Sequence, residues 1–269
     1  METIKIIFVG DVVGKLGRKA LAKVIPIWQA KYQPDDFIVN VENLAHGKGV
    51  TRATLDDLLV LGLHIFTGGN HIWSKGGVDQ LLLDDKFTLV VPANDSRSSQ
   101  VYGARVITIG GLKWLLVSLV GQVFMVDDQA LITNPFQALD EILIRQEPNL
   151  AGVIVDFHAE ATSEKVAFGW YADGRVAAVC GTHTHVPTAD AKILPKGTAY
   201  ITDVGMVGGV QTVLGVAKNI IVDRFSEQGK SSFDYPEVGE AEANAVLLTF
   251  DKKTGRAIGI ERLYENVVI

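Results

Sequence analysis

Short apolar runs recur along this chain, and five of them stop at polar residues of one chemical kind. Ile6-Ile7-Phe8-Val9-Gly10 runs into Asp11, and Phe37-Ile38-Val39-Asn40-Val41 into Glu42-Asn43. Ile65-Phe66-Thr67-Gly68-Gly69 runs into Asn70-His71. Val153-Ile154-Val155-Asp156-Phe157 ends at His158, and Ala177-Ala178-Val179-Cys180-Gly181 at Thr182-His183-Thr184-His185. Continuous Val, Ile and Phe runs of this kind predict parallel strands buried on both faces. Between the first three, the pattern turns helical over 17–32 and 51–61, with Thr51 and Thr54 as starting caps of the second helix.

The middle of the chain changes character. Segments 104–109 and 113–120 flank Gly110-Gly111-Leu112 and predict an antiparallel hairpin. A helix over 135–146 follows, with Pro135 suited to its first turn. After the His158 strand come a short helix beyond Thr162 and the His183/His185 strand. A hairpin over 191–201 then turns at Pro195-Lys196-Gly197. Residues 215–228 read as helical. A last hairpin, 241–250 with 257–264, turns at Asp251-Lys252-Lys253-Thr254-Gly255. The polar stretch 223–240 reads as a surface loop, not a boundary, so residues 1–269 are expected to form one domain. Parallel units in front and antiparallel hairpins behind predict an α/β chain with two sheets packed face to face and helices outside.

Composition narrows the class. A chain of 269 residues that is 48% hydrophobic can bury a large core. A net charge of −6 without a basic run argues against a long nucleic acid partner but leaves small nucleotides open. One cysteine, Cys180, precludes an intramolecular disulfide framework and fits a reducing cytoplasm. Its place in an apolar strand makes it a core residue. The chain opens without a basic and apolar leader, and no apolar run reaches about 18 residues, so no membrane span is expected.

Ligands of open α/β sheets bind at the carboxyl ends of the strands. Five strand ends carrying Asp, Glu, Asn and His therefore predict one converging metal site. Each residue alone has an ordinary explanation: a helix cap for Asp11, a left-handed turn for Asn43, a satisfied interior histidine for His158. Their joint placement favours metal. His183 and His185, spaced i and i+2, are expected to point to one side, and imidazole suits borderline transition metals. Glu42 can bridge two ions. Asn70 offers a neutral oxygen, and His71 faces elsewhere and is left for proton transfer. Gly68 and Gly69 let backbone approach something closely.

His46, in a Gly-rich loop, is a candidate substrate contact. His64 reads as structural, Trp73 as a base floor or a packing residue, and Glu164 and Lys165 as a solvated helix face. The stretch from Gly10 to Leu16 is one residue short of a phosphate loop and has Leu16 where Ser or Thr should hold Mg²⁺, which excludes that motif. Two divalent ions over Asp11 and Glu42 leave the site positive, so phosphate is the expected anion. Ions about 3.5–4 Å apart activate water and clamp a phosphoryl group.

Asp11, Gly69-Asn70-His71, His158 and Gly181-Thr182-His183-Thr184-His185 resemble the calcineurin-like metallophosphoesterases in order and spacing. Gly10-Asp11-Val12-Val13-Gly14, Glu42-Asn43-Leu44-Ala45-His46-Gly47 and Gly69-Asn70-His71-Ile72-Trp73 resemble more narrowly the bacterial 2′,3′-cyclic-nucleotide 2′-phosphodiesterase subfamily. So do the stretches from Asp156 to Lys165 and from Leu194 to Met206. The resemblance implies a four-layer α-β-β-α sandwich of two mixed sheets flanked by helices. It also implies two iron or manganese ions and a homo-oligomer. Asp11, Glu42 and His185 would hold one ion, and Glu42, Asn70, His158 and His183 the other. Asn43 would lie beside the first ion or the phosphate, and His71 would protonate the leaving oxygen. The implied reaction is hydrolysis of a 2′,3′-cyclic nucleotide to a 3′-nucleotide by attack of a metal-bridging hydroxide. Two positions depart from the wider superfamily: Val13 stands where most relatives carry a ligand histidine, and Ile72 where most carry an acid. The pattern also admits a phosphomonoesterase acting on nucleotides or sugar phosphates, or a metal-dependent nucleotide sensor or scaffold.

Overall fold

The first strand, β1 (Thr3–Val9), sets the architecture. Ile4, Ile6 and Phe8 alternate along it with Ile7 and Val9, and all five are buried. A strand with two buried apolar faces needs cover on both sides. The computed structural model describes residues 2–98, 100–125, 131–226, 229 and 231–269. It continues with β2 (Asp11–Val12), α1 (Gly14–Tyr32), β3 (Asp36–Asn40), α2 (Arg52–Leu59), β4 (Ile65–Thr67), α3 (Val78–Leu82), β5 (Thr88–Val90) and α4 (Gln100–Gly103). Next come β6 (Ala104–Ile109), β7 (Leu112–Val120), α5 (Pro135–Arg145), β8 (Gly152–His158), α6 (Thr162–Ala172) and β9 (Ala178–Thr182). The chain ends through β10 (Lys192–Ile193), β11 (Ala199–Ile201), β12 (Met206–Gly209), β13 (Thr212–Val213), β14 (Val216–Ala217), α7 (Lys218–Phe225), β15 (Glu240–Asp251) and β16 (Ala257–Val268).

An eight-stranded sheet has the order β2-β12-β15-β1-β3-β4-β5, with β16 on β15; a six-stranded sheet has the order β10-β11-β9-β8-β7-β6. Ile4, Ile6 and Phe8 pack between the sheets with Trp114, Leu116, Ile154, Cys180 and Ile201. Ile7 and Val9 pack outward against Leu21, Val24 and Trp28 of α1. Behind the other sheet, Leu115, Val117 and Phe157 meet Leu139 of α5 and Phe168 of α6. Three apolar cores separate four layers, α-β-β-α. Each fully buried Leu, Ile or Phe contributes about 1.5–3 kcal/mol relative to exposure.

β1, β3, β4 and β5 are parallel, as their unbroken apolar runs require. The β10–β11 and β15–β16 hairpins do not form a separate sheet, whereas β13 and β14 make a two-stranded sheet of their own. The C-terminal hairpin enters the first sheet through the antiparallel β1–β15 pair, and the β10–β11 hairpin extends the second beside β9. Both sheets are therefore mixed. Thr51 caps α2, and Thr54 returns a hydrogen bond to its backbone. Asn134 caps α5 with Pro135 at its first position. The expected helix over 215–228 begins only at Lys218, because the residues before it form the β13–β14 hairpin; Gln228 lies outside the described residues. Among the described residues, no helix is long and apolar enough to cross a membrane.

Candidate metal centre

Asp11 heads β2, held by its N–H to the Gly205 carbonyl at 3.1 Å. Glu42 and Asn43 follow β3, Asn70 and His71 open a 3₁₀ turn (Asn70–Ser74), His158 ends β8, and His183 and His185 follow β9. The two sheets bring these ends together. Asn40 Nδ2 and Thr67 Oγ1 of the first sheet donate to Asp156 Oδ2 of the second at 2.9 and 2.5 Å.

Two clusters share Glu42. In one, His158 Nε2 lies 3.2 Å from Glu42 Oε1, 3.1 Å from Asn70 Oδ1 and 2.9 Å from His183 Nδ1. Glu42, His158 and His183 each present a ligand atom within 4.8 Å of the others. In the other, Asn43 Nδ2 lies 3.4 Å from Asp11 Oδ1, 3.1 Å from His185 Nε2 and 3.2 Å from Glu42 Oε1. His185 Nε2 is 3.7 Å from Asp11 Oδ1.

The outward ring nitrogens fix the tautomers. His185 Nδ1 donates to the Leu214 carbonyl at 3.2 Å, and His183 Nε2 donates to Glu160 Oε2 at 3.1 Å. His158 Nδ1 donates to Thr182 Oγ1 at 2.9 Å, since that hydroxyl spends its own hydrogen on Asp156 Oδ1 at 2.6 Å. Each outward bond leaves the other ring nitrogen facing inward, Nδ1 of His183 and Nε2 of His158 and His185, as outer hydrogen bonds do for metal-binding histidines. Two carboxylates, three imidazoles and the Asn70 carboxamide oxygen form a donor set that fits borderline transition metals, while Asn43 turns its Nδ2 inward.

The electrostatics fit a cation site. Burial keeps the Asp11 carboxyl well above the usual carboxylate range. Burial would do the same to Glu42, but His158 beside it holds it well below that range. Burial disfavours the His158 cation too; Glu42, with Asp11 and Asp156, outweighs it and pushes the ring up to about 9. Burial and the His158 charge push His183 down to about 3, and burial also lowers His185. The His158 ring lies beside both carboxylates, 3.2 Å from Glu42 and 4.0 Å from Asp11, so a positive charge at this point serves both.

Space is equally specific. A Cβ on Gly69 would lie 2.3 Å from the His158 ring and 2.5 Å from Glu42 Oε2, so only glycine lets the chain pass there. A cleft of about 240 Å³ opens over the clusters, lined among others by Glu42, Asn43, Lys48, His71 and Glu160. His71 donates its backbone N–H to Glu42 Oε2 at 3.1 Å. His46 is exposed and left-handed, one residue before the lining Gly47. His64 is exposed at the start of β4.

Two readings need correction. His183 and His185 do not reach the site as alternating strand residues; both lie beyond β9 in left-handed backbone, φ 98° and 65°, and serve different clusters. Lys165 and Glu164 are not a solvated face. Both are buried: Lys165 passes the end of β9 to reach Asp203, and Glu164 accepts the Gln122 and Val123 N–H groups. Sequence reasoning assigned no role to Glu160, Asp203, Leu214 or Tyr235. Asp156 carried a signal, an ionisable residue inside an apolar strand two positions before His158.

A family model described as YmdB-like protein matches residues 7–263. A Bacillus subtilis (strain 168) protein named 2′,3′-cyclic-nucleotide 2′-phosphodiesterase is 40% identical over 262 residues, 97% of each chain. A crystal structure from Mycoplasma pneumoniae, described as a novel phosphatase, is similar with a TM-score of 0.89 at 38% identity, covering 99% of this chain and 94% of that one. A 5′-nucleotidase precursor from Thermus thermophilus shares the fold, with a TM-score of 0.55 at 14% identity over 100% of this chain and 55% of that one.

Proposed function

The chain belongs to the YmdB-like family, within the metallophosphoesterase fold, and we propose that it hydrolyses 2′,3′-cyclic nucleotides to 3′-nucleotides. One observation carries this reading: a single cleft is lined by Glu42 and His183 of one cluster, Asn43 and His185 of the other, and His71. Asp11, Glu42 and His185, with Asn43 beside them, would hold one metal ion. Glu42, Asn70, His158 and His183 would hold the second. Two iron or manganese ions would supply an activated water and neutralise phosphoryl charge when bound.

The chain's own residues do the rest. His71 holds a proton for the departing 2′ oxygen, a role worth about 10²–10⁴-fold. Its backbone bond to Glu42 ties the acid to the carboxylate shared by both clusters. Thr182, Glu160 and the Leu214 carbonyl keep the three rings oriented. Val13 cannot ligate. It packs where a Cβ on Gly215 would meet its Cγ1 at 2.4 Å, so the first position would have one side-chain ligand fewer than the wider superfamily's pattern supplies.

The test pairs metal analysis of purified protein with hydrolysis of 2′,3′-cyclic AMP in added Mn²⁺, resolving 2′-AMP from 3′-AMP. About two ions per chain and 3′-AMP as product are expected. Full metal loading without turnover would overturn the reaction while sparing the site.

A further inference from the structure

The cleft is lined by one aliphatic and one aromatic side chain that the phosphoryl chemistry does not use. Leu214 and Tyr235 both line it. Leu214 sits at the turn of the β13–β14 hairpin with φ 53°, followed by Gly215 at 92°. Consecutive left-handed residues make the tight hairpin turn that favours Asn or Gly at its first position, and a leucine there is strained. Leu214 is nonetheless 47% exposed. The carbonyl of the same residue holds His185, so the hairpin tip is fixed relative to the metal clusters.

Tyr235 arrives on a strap that the sequence marked only as a polar loop. Its ring lies flat on Gly47, where a Cβ would stand 2.0 Å from ring carbons Cε1 and Cζ. The strap is fastened on both sides of the tyrosine. Ala217 N–H donates to the Asp234 carbonyl at 2.9 Å, joining it to the leucine hairpin. Lys15 Nζ pairs with Glu237 Oε2 at 2.6 Å, and Lys19 Nζ donates to the Glu237 carbonyl at 2.9 Å.

We infer that Tyr235 and Leu214 form a clamp that takes the nucleobase of the substrate. The inference rests on the proposed reaction and adds to it a substrate requirement: the ester must carry a planar base, not merely a cyclic phosphate. An aromatic ring stacks any base through its π-face, and a branched aliphatic side chain closes the slot from the hairpin. Such a clamp discriminates little among bases and strongly between a nucleotide and a bare sugar phosphate.

The experiment measures kcat and KM on two esters, 2′,3′-cyclic AMP and methyl riboside 2,3-cyclic phosphate, which lacks a base. The wild-type protein should show a KM about tenfold lower or better for the nucleotide. Tyr235→Ala should raise the nucleotide KM about tenfold, with at least a fivefold smaller effect on the base-less ester. Tyr235→Phe should retain the preference. Leu214→Asn, which suits the left-handed turn, should raise the nucleotide KM in the same direction. Equal KM values for the two esters, or parallel losses on both, would overturn the clamp alone. Turnover of neither ester by metal-loaded protein would overturn the proposed reaction and the clamp with it.

Discussion

Lys165 Nζ donates to Asp203 Oδ2 at 2.6 Å, and both side chains are buried. The same amine donates to the Thr182 carbonyl at 2.6 Å, while Asp203 accepts the N–H groups of Thr184 and Gly205 at 3.1 and 2.9 Å. The pair grips the chain on both sides of His183. Residues held in left-handed backbone cost about 1–3 kcal/mol each and persist only where their surroundings over-determine them. Lys165→Met leaves a buried carboxylate without its cation and should cost about 3–5 kcal/mol in urea unfolding. The double variant Lys165→Met/Asp203→Asn should regain part of that stability but not metal content, because the loop grip stays broken. Metal content at the wild-type level in the double variant would show that the loop holds itself.

His71 and the ligands should separate cleanly. His71→Ala is expected to lower kcat by about 10²–10⁴ while metal content stays at the wild-type level. Full activity in this variant would remove His71 from the reaction.

The two clusters predict unequal stoichiometries. His185→Ala touches only the Asp11 cluster and should leave about one ion per chain by elemental analysis, whereas Glu42→Ala should leave almost none because both clusters share it. Equal metal loss in the two variants would refute the shared carboxylate.

The pH dependence follows from His158, pushed up to about 9 from an ordinary value of 6.5. A group raised on folding stabilises the protein fully below its unfolded value and loses that contribution as pH rises through the folded one. Chelated protein should therefore lose thermal stability between pH 6.5 and about 9. Metal must displace that proton, so affinity should climb about tenfold per pH unit over the same window. Calorimetry in two buffers of different ionisation enthalpy counts the released proton; a flat affinity would contradict the assignment.

How much was legible beforehand depended on distance along the chain. Strand ends marked Asp11, Glu42, Asn70 and His158 as candidates, because an apolar run that stops at a metal-binding residue type is a local pattern. The four layers were legible for the same reason: Ile4, Ile6, Phe8 and Ile7, Val9 form two buried faces of one strand. Lys165 was misread because a helical lysine is ordinarily solvated, and nothing near it in sequence shows that Asp203 waits 38 residues on. Tyr235 was invisible among the polar residues of its loop. Its meaning comes from Gly47, brought beneath it only by the fold.

The position of β15 gives the site a dependence on chain order. β15 lies between β1 and β12, and β12 is the strand on which β2, with Asp11, is paired. The Asn244 carbonyl of β15 accepts the Gly10 N–H at 3.2 Å, next to that aspartate. Every candidate ligand precedes residue 186, so a ribosome has delivered all of them before the strand that seats the first one emerges. A chain stopped short of residues 240–269 would carry the whole set of ligands with Asp11 unseated. Seating of Asp11 thus waits on β15, and a chain released before residues 240–251 emerge is expected to take up less metal.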